Sequence, residues 1–391
     1  MKLLFLGSVY PKEREDEICM VSRYIDFPSN ALQWALLNGF DNYAEVMVVT
    51  TPNVKSKKLF FKGSHFKHTD NSDDYCMGFC TRLVSKKIFI GVRVARYVLN
   101  KDFVPDVIFI YAISMENLKA AKLIKRRYPK VKIVLMVPDL MEFMRSTNNR
   151  LYIFFKNIES RLCNSYIQEN VDAFVLLSEY MKERLPIENK PYTIVEGIYY
   201  NTDELNNIEK DPHKVILYTG NLNARYGIEN LLKAFSLIEK KEYRLWIRGD
   251  GDCETLVREY EKGDKRIKYF DKMSRTELLA LEKQATLLVN PVRSTEPFTK
   301  YFFPSKTMEY MASGTPTLMS PLLCLPESYK RHLYLFTDES VIGMSKMIQT
   351  ICEKDSADLF SFGQQASDFI FREKNELIQC KKIIDLINDY K

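Results

Sequence analysis

Short apolar runs recur along this chain, and many are followed by a segment with apolar residues at helical spacing. In the first half the runs are KLLFLGS, AEVMVVT, DVIFIYA, KIVLMVP and AFVLLS, all of strand length and rich in Val, Ile, Leu and Phe. Segments such as SMENLKAAKLIKRRY lie between several of them and put apolar residues three and four apart, on one helix face. Strands buried on both sides read as continuous apolar runs, so the alternation predicts a parallel sheet covered by helices. This half closes near SEYMKERLP, where Pro186 and Pro191 bracket a predicted linker. The pattern then restarts with KVILYTG, IENLLKAFSLIEK and YRLWIRGDG, and continues through RIKYFDKM, SRTELLALEKQ, ATLLVNP and PTLMS. The expected architecture is α/β, with two doubly wound domains at 1–190 and 191–370. Residues 371–391 are expected to form a C-terminal helix that could cross back to the first domain. Ligands of such sheets bind beyond the carboxyl ends of the strands, and a cleft between two facing domains is the expected site.

Composition refines this picture without changing it. The 391 residues are 46% hydrophobic and 28% charged, an ordinary globular balance for two domains. Eight scattered cysteines fit reduced thiols in a cytoplasmic protein better than a disulfide framework. A zinc site of Cys76, Cys80, His65 and His68 is conceivable, but plain structural roles are preferred. The opening MKLLFLGSVY is too short for a signal-peptide core and reads as a buried strand. No apolar stretch approaches the roughly 20 residues of a membrane span. Charge is uneven, however. Residues 55–101 hold eleven Lys or Arg against three Asp, with aromatics interleaved in KKLFFKGSHFKH and KKIFIGVRVARY. That mixture suits peripheral contact with an anionic membrane or a lipid-linked phosphate, and equally a core-packed helix with solvated cations. No nucleic-acid-binding module accompanies the charge.

Candidate chemistry gathers in loops that follow strands of the second half. Gly220 and Asn221 follow VILYT, Gly249 follows LWIR, and Arg293 follows TLLVNPV. Glu296, Thr299 and Lys300 come next, then Pro304, Ser305 and Lys306 in FPSKTMEYMASGTPTL. Ser305 opens a predicted helix whose unpaired N–H groups and partial positive charge suit phosphate. Glu309, one turn inside, could accept hydrogen bonds from vicinal ribose hydroxyls. Singly, Gly249 also suits a plain turn and Ser305 a plain N-cap. The order of the loops carries more than any one of them.

That order resembles a known family. YTGNLNARYGIENLLKAF looks like the first unit of a nucleotide-sugar-binding domain, and WIRGDGDCETL resembles its next glycine turn. KYFFPSKTMEYMASGTPTLMS is closely similar to the nucleotide-diphosphate helix of GT-B glycosyltransferases, in the large retaining family 4 type (glycosyl transferases group 1). The resemblance covers about Val215 to Ser320 well and is vague over residues 1–170. It implies two Rossmann-like domains facing across a cleft, the first for acceptor and the second for donor. Glu309 matches the second of the family's two glutamates, while Tyr301 stands at the first. The family's arginine after the first glycine falls on Asn221, and its next lysine on Tyr226. Arg225, Arg293 and Lys306 are the available replacements, with Lys306 preferred. A His-Asp pair of the first domain reads Pro138-Asp139 here, and Asp139 equally suits a cap on the LMEFM segment.

The implied function is a metal-independent, retaining hexosyltransferase with no cofactor. It would move a sugar from a UDP- or GDP-sugar to a saccharide acceptor, expected to be lipid-linked, in surface polysaccharide biosynthesis. Asp139, Lys306 and Arg225 would carry the chemistry, and the backbone near Lys272 and Met273 would meet the base. Gly7, Ser8 and Tyr10 would line the acceptor side. The expected location is cytoplasmic, peripheral on the inner membrane face. Two alternatives stay open: an epimerase or hydrolase of the same fold, and a non-catalytic nucleotide-sugar-binding partner subunit.

Overall fold

Each apolar run of the first half forms a strand. The computed structural model describes residues 1–21, 26–52, 60–80, 86–140, 142, 150–200 and 208–389. In the first unit, β1 (Lys2–Gly7), β2 (Glu45–Thr50), β3 (Ser64–Phe66), β4 (Asp74–Cys76), β5 (Val107–Tyr111), β6 (Lys132–Val137), β7 (Ala173–Leu176) and β8 (Tyr192–Ile194) build one sheet. Its order is β8-β7-β6-β5-β1-β2-β4-β3, parallel except for the β3–β4 pair. Helices α1 (Phe27–Phe40), α2 (Lys86–Leu99), α3 (Met115–Arg127) and α4 (Arg150–Asn170) accompany it. Ser114 caps α3 by accepting from Asn117 N–H, and Lys125, Arg126 and Arg127 meet the negative end of its dipole. The core centres on β1 and β5, where Phe109 stacks on Phe5 and takes Phe40 of α1 edge-on.

The second unit, Asn201–Asn375, repeats the plan. Strands β9 (Lys214–Thr219), β10 (Tyr243–Arg248), β11 (Ile267–Phe270), β12 (Leu287–Asn290), β13 (Thr317–Met319) and β14 (Tyr334–Leu335) are all parallel, in the order β11-β10-β9-β12-β13-β14. Helices α5 (Ile228–Ser236), α6 (Glu254–Gly263), α7 (Arg275–Gln284), α8 (Ser305–Ala312), α9 (Val341–Cys352) and α10 (Ser356–Glu373) complete it. One apolar cluster joins Leu231, Phe235, Leu245 and Ile348, and another joins Val215, Leu217, Leu288 and Tyr310. A capping box of Ser274 and Glu277 starts α7.

The α/β architecture of two Rossmann-like domains is therefore borne out, but the limits of the units differ from the sequence reading. The first unit runs to Tyr200 and regains Glu376–Lys391. It keeps β8 because Tyr192, Thr193 and Ile194 pair in parallel with β7, so Pro186 and Pro191 bracket a turn inside this unit. Helix α11 (Glu376–Asp389) returns to α1, where Tyr43 Oη donates to the Leu377 carbonyl at 3.1 Å. Gly39 makes that packing possible, since a Cβ there would stand 2.4 Å from Cys380 Sγ.

A buried charge cluster ties the edge of the first sheet together. Asp74 is fully buried and accepts from Val48 N–H at 2.8 Å, His68 N–H at 2.8 Å and Ser72 Oγ at 2.5 Å. The His68 ring lies between two carboxylates, Nδ1 at 2.6 Å from Asp74 and Nε2 at 3.0 Å from Asp41. Both ring nitrogens face acceptors, which selects the imidazolium. Burial alone would lower the His68 pKa, but Asp41 and Asp74 outweigh it and raise it to about 9. Among the described residues no group of His, Cys, Asp and Glu could hold a metal ion.

Candidate active site

The strand order of the second unit reverses between β9 and β12. Loops diverge at such a point and leave a crevice beyond the strand ends. The loops after β9, β10 and β12 are held there by close backbone contact. Gly220 N–H donates to the Arg248 carbonyl at 2.7 Å, and Leu222 N–H to the Asp250 carbonyl at 3.0 Å. A Cβ on Gly249 would stand 1.6 Å from the Gly220 carbonyl oxygen. Gly227, at φ +81°, lies where a Cβ would be 2.1 Å from the Pro291 carbonyl oxygen. These glycines admit neighbouring backbone, which fits the plain-turn reading of Gly249. Arg225 stacks over the rings of Tyr226 and Phe298 at 5.1 and 4.9 Å, bridging the β9 and β12 loops.

Helix α8 opens into the same region. Pro304 is its N-cap and Ser305 its first helical residue, with no side chain capping the end. Ser305 is therefore not the cap that its position suggested; it is exposed at the mouth. Lys306 reaches back to the end of β9, its Nζ at a long 3.5 Å from Thr219 Oγ1. Burial lowers its pKa, against the opposing pull of Glu309. Tyr310 clamps the strand end by accepting from Thr219 N–H at 2.8 Å and donating to the Thr219 carbonyl at 2.9 Å. Glu309 is partly exposed, 3.9 Å from Arg275 at the start of α7. Arg248 at the end of β10 adds positive charge that further lowers the Lys306 pKa.

The other sequence candidates divide. Asn221 is exposed, and its Oδ1 accepts from Asn223 N–H at 2.9 Å. Lys272 is exposed and Met273 half-buried in the loop that leads to α7. Arg293 is exposed, while Glu296 and Lys300 are half-buried. Thr299 turns inward, its hydroxyl and its N–H both donating to the Glu296 carbonyl, at 2.7 and 3.0 Å. Tyr301 is buried, with the Lys300 ammonium 5.6 Å from its ring. Reading the sequence alone missed Thr219, Arg248, Arg275, Tyr310 and Glu282. Glu282 did leave a signal, a charge three residues after the buried Leu279 on one helix face.

The carboxyl edge of the first sheet holds its own polar group. Gly7 leaves room for Gln33 Oε1, which accepts from Ser8 N–H at 2.7 Å. Tyr10 is buried, its N–H donating to Asn30 Oδ1 at 2.8 Å, so it supports the loop and does not line an open surface. Ser29 Oγ donates to Tyr111 Oη at 3.2 Å. Asp139 keeps an exposed edge, yet desolvation by the surrounding protein, with the Asp26 carboxylate adding to it, raises its carboxyl to about 6. Of the LMEFM segment that Asp139 was expected to cap, only Leu140 and Glu142 are among the described residues.

A family model described as "Glycosyl transferases group 1" matches residues 213–354. No curated protein matches the chain by sequence. Solved structures share the fold over the whole length. Sucrose-phosphate synthase from Thermosynechococcus elongatus is 15% identical at a TM-score of 0.64, covering 100% of this chain and 99% of that one. Anabaena HepE in complex with UDP is 13% identical at 0.64, with 100% of each chain covered. The lipopolysaccharide outer core galactosyltransferase WaaB, in apo form, is 14% identical at 0.63, again over 100% of each chain. The fold is that of the GT-B glycosyltransferases.

Proposed function

We propose that the protein transfers a sugar from a UDP- or GDP-sugar to a saccharide hydroxyl, with retention at the anomeric carbon, a reading supported by the match of residues 213–354 to the glycosyl transferases group 1 model. The observation that carries this reading is the uncapped start of α8, with Lys306 at its mouth beside Thr219. In the reaction, the bond from the anomeric carbon to the diphosphate oxygen breaks and the acceptor oxygen bonds to that carbon. The acceptor proton passes to the departing phosphate oxygen on the same face. Lys306, Arg248 and the first-turn N–H groups offset the charge that grows on the leaving diphosphate. Glu309 accepts from the ribose hydroxyls, and the backbone at Lys272 and Met273 meets the base. Arg225, Arg293 and Lys300 line the approach. With cations in this role, the scheme assigns no metal or cofactor. Asp139, near neutrality at about 6, orients the acceptor.

HepE was solved with UDP, which makes UDP-sugars the first donors to try. In a thermal-shift screen the right nucleotide-sugar should raise Tm, by about 2.7 kcal/mol of stabilisation at a hundredfold excess over Kd. A turnover assay on that donor then separates the readings. Nucleoside diphosphate release that requires acceptor supports transfer. Release without acceptor points to a hydrolase, and binding without release to a partner subunit.

We also propose that the acceptor is lipid-linked and that the protein works at the inner membrane face in surface polysaccharide assembly. Phe89 near the start of α2 is 61% exposed, and Phe154 and Phe155 near the start of α4 are 59% and 57% exposed. Lys87 pairs with Glu159, which ties the start of α2 to the middle of α4. Exposed Arg93, Arg96 and Arg161 stand on the same helices. Exposed aromatics with cations suit an anionic bilayer surface. Lys57 and Lys58 of the basic segment lie outside the described residues. No described helix is long and apolar enough to cross a membrane. The triple substitution Phe89→Ser, Phe154→Ser, Phe155→Ser should abolish sedimentation with phosphatidylglycerol vesicles. Unchanged sedimentation would remove the membrane reading.

A further inference from the structure

Glu282 is fully buried on α7, and among the described residues its Oε2 has no hydrogen-bond partner. Its Oε1 lies 3.1 Å from Thr219 Oγ1. Thr219 Oγ1 is in turn 3.1 Å from Tyr310 Oη and 3.5 Å from Lys306 Nζ. Counting protons orders this relay. Tyr310 has one proton and gives it to the Thr219 carbonyl at 2.9 Å. An ionised Glu282 would take the Thr219 hydroxyl proton and draw the Lys306 ammonium inward as a counter-charge. A neutral Glu282 instead donates to Thr219 Oγ1, whose own proton passes to Tyr310 Oη. The remaining Thr219 lone pair then accepts from Lys306. Burial pushes the Glu282 carboxyl well above the usual range and Glu309 adds to this, so the neutral form fits. An unpaired buried oxygen costs stability. The same sheet face holds Val215, Leu217 and Leu288, where an apolar side chain would avoid that cost.

We propose that Glu282 is a positioning residue for donor binding. It holds Thr219 and Lys306 so that the ammonium faces the diphosphate, an inference that rests on the nucleoside-diphosphate reading of the α8 mouth. Lys306 then meets its ligand with its charge intact, and Tyr310 locks the strand end that carries Thr219.

Titration calorimetry of the full chain with UDP and with GDP tests this. Glu282→Met should fold with an undiminished Tm yet bind the preferred nucleotide about tenfold more weakly, the scale of one hydrogen bond to a charged group. Glu282→Gln, whose amide can donate to Thr219 as the neutral acid does, should restore binding to within about threefold of the wild type. Should Glu282→Met fail to fold, Thr219→Val breaks the same relay and should show the same weakening. Wild-type affinity in Glu282→Met or Thr219→Val would overturn the inference alone, as would Glu282→Gln binding as weakly as Glu282→Met. A wild-type protein that binds neither nucleotide would overturn the diphosphate reading, and this inference with it.

Discussion

Lys306→Met is expected to lower kcat/KM for the sugar donor by about 10²–10³-fold, the loss typical when one donor to a developing anion is removed. The substitution keeps the length of the side chain and removes its charge. Lys306 reaches the end of β9 from an α8 start that no side chain caps, so in the proposed reaction it and the first-turn N–H groups converge on one anion. Folding should be spared. Burial lowers the Lys306 pKa, so the ammonium already carries a desolvation cost that methionine lacks. A drop in Tm as large as the drop in activity would mean that Lys306 is structural. A fall in kcat/KM with Tm held marks it as part of the site.

His68→Ala should be the most destabilising single change in the first unit, at about 3–5 kcal/mol. That corresponds to a fall of roughly 10 °C in Tm for a unit of this size. The cause is not the lost imidazole packing but Asp74, a fully buried carboxylate left without its cation. The wild type should show the same linkage through pH. The folded His68 pKa, about 9, lies above its ordinary 6.5. Its contribution is therefore complete below about pH 6.5 and is lost as pH rises through about 9. Urea midpoints measured from pH 6 to pH 10 should fall in the wild type and stay flatter in His68→Gln. Equal slopes would show that His68 is neutral in the folded protein.

Much of this was legible in the residues, for identifiable reasons. Parallel strands buried on both faces leave uninterrupted apolar runs, so β1, β2, β5, β6 and β9 stand out in the sequence. Loops that follow strands are marked by Gly220, Gly249 and Lys306 for the same reason of order. What escaped depends on contacts between distant segments. Pro191 looks like a linker until Tyr192–Ile194 is seen paired with β7. Gly249 suits a plain turn and a ligand loop alike until the Gly220 carbonyl is found against it. Glu282 and Thr219 meet across 63 positions of chain, and neither carries a motif of its own. The β12 loop misled in another way. Thr299 was a candidate through the backbone around it, yet its N–H and hydroxyl both donate to the Glu296 carbonyl. Tyr10 was chosen for its position after β1, where its ring is buried.

The central claim is that the start of Ser305–Ala312 seats a nucleoside diphosphate through Lys306. A crystal structure of the full chain with UDP or GDP, whichever raises Tm, tests it most directly. The account predicts the β-phosphate at the N-terminus of that helix, with an oxygen about 3 Å from Lys306 Nζ. A diphosphate bound elsewhere, with Lys306 and the helix start untouched by it, would contradict it.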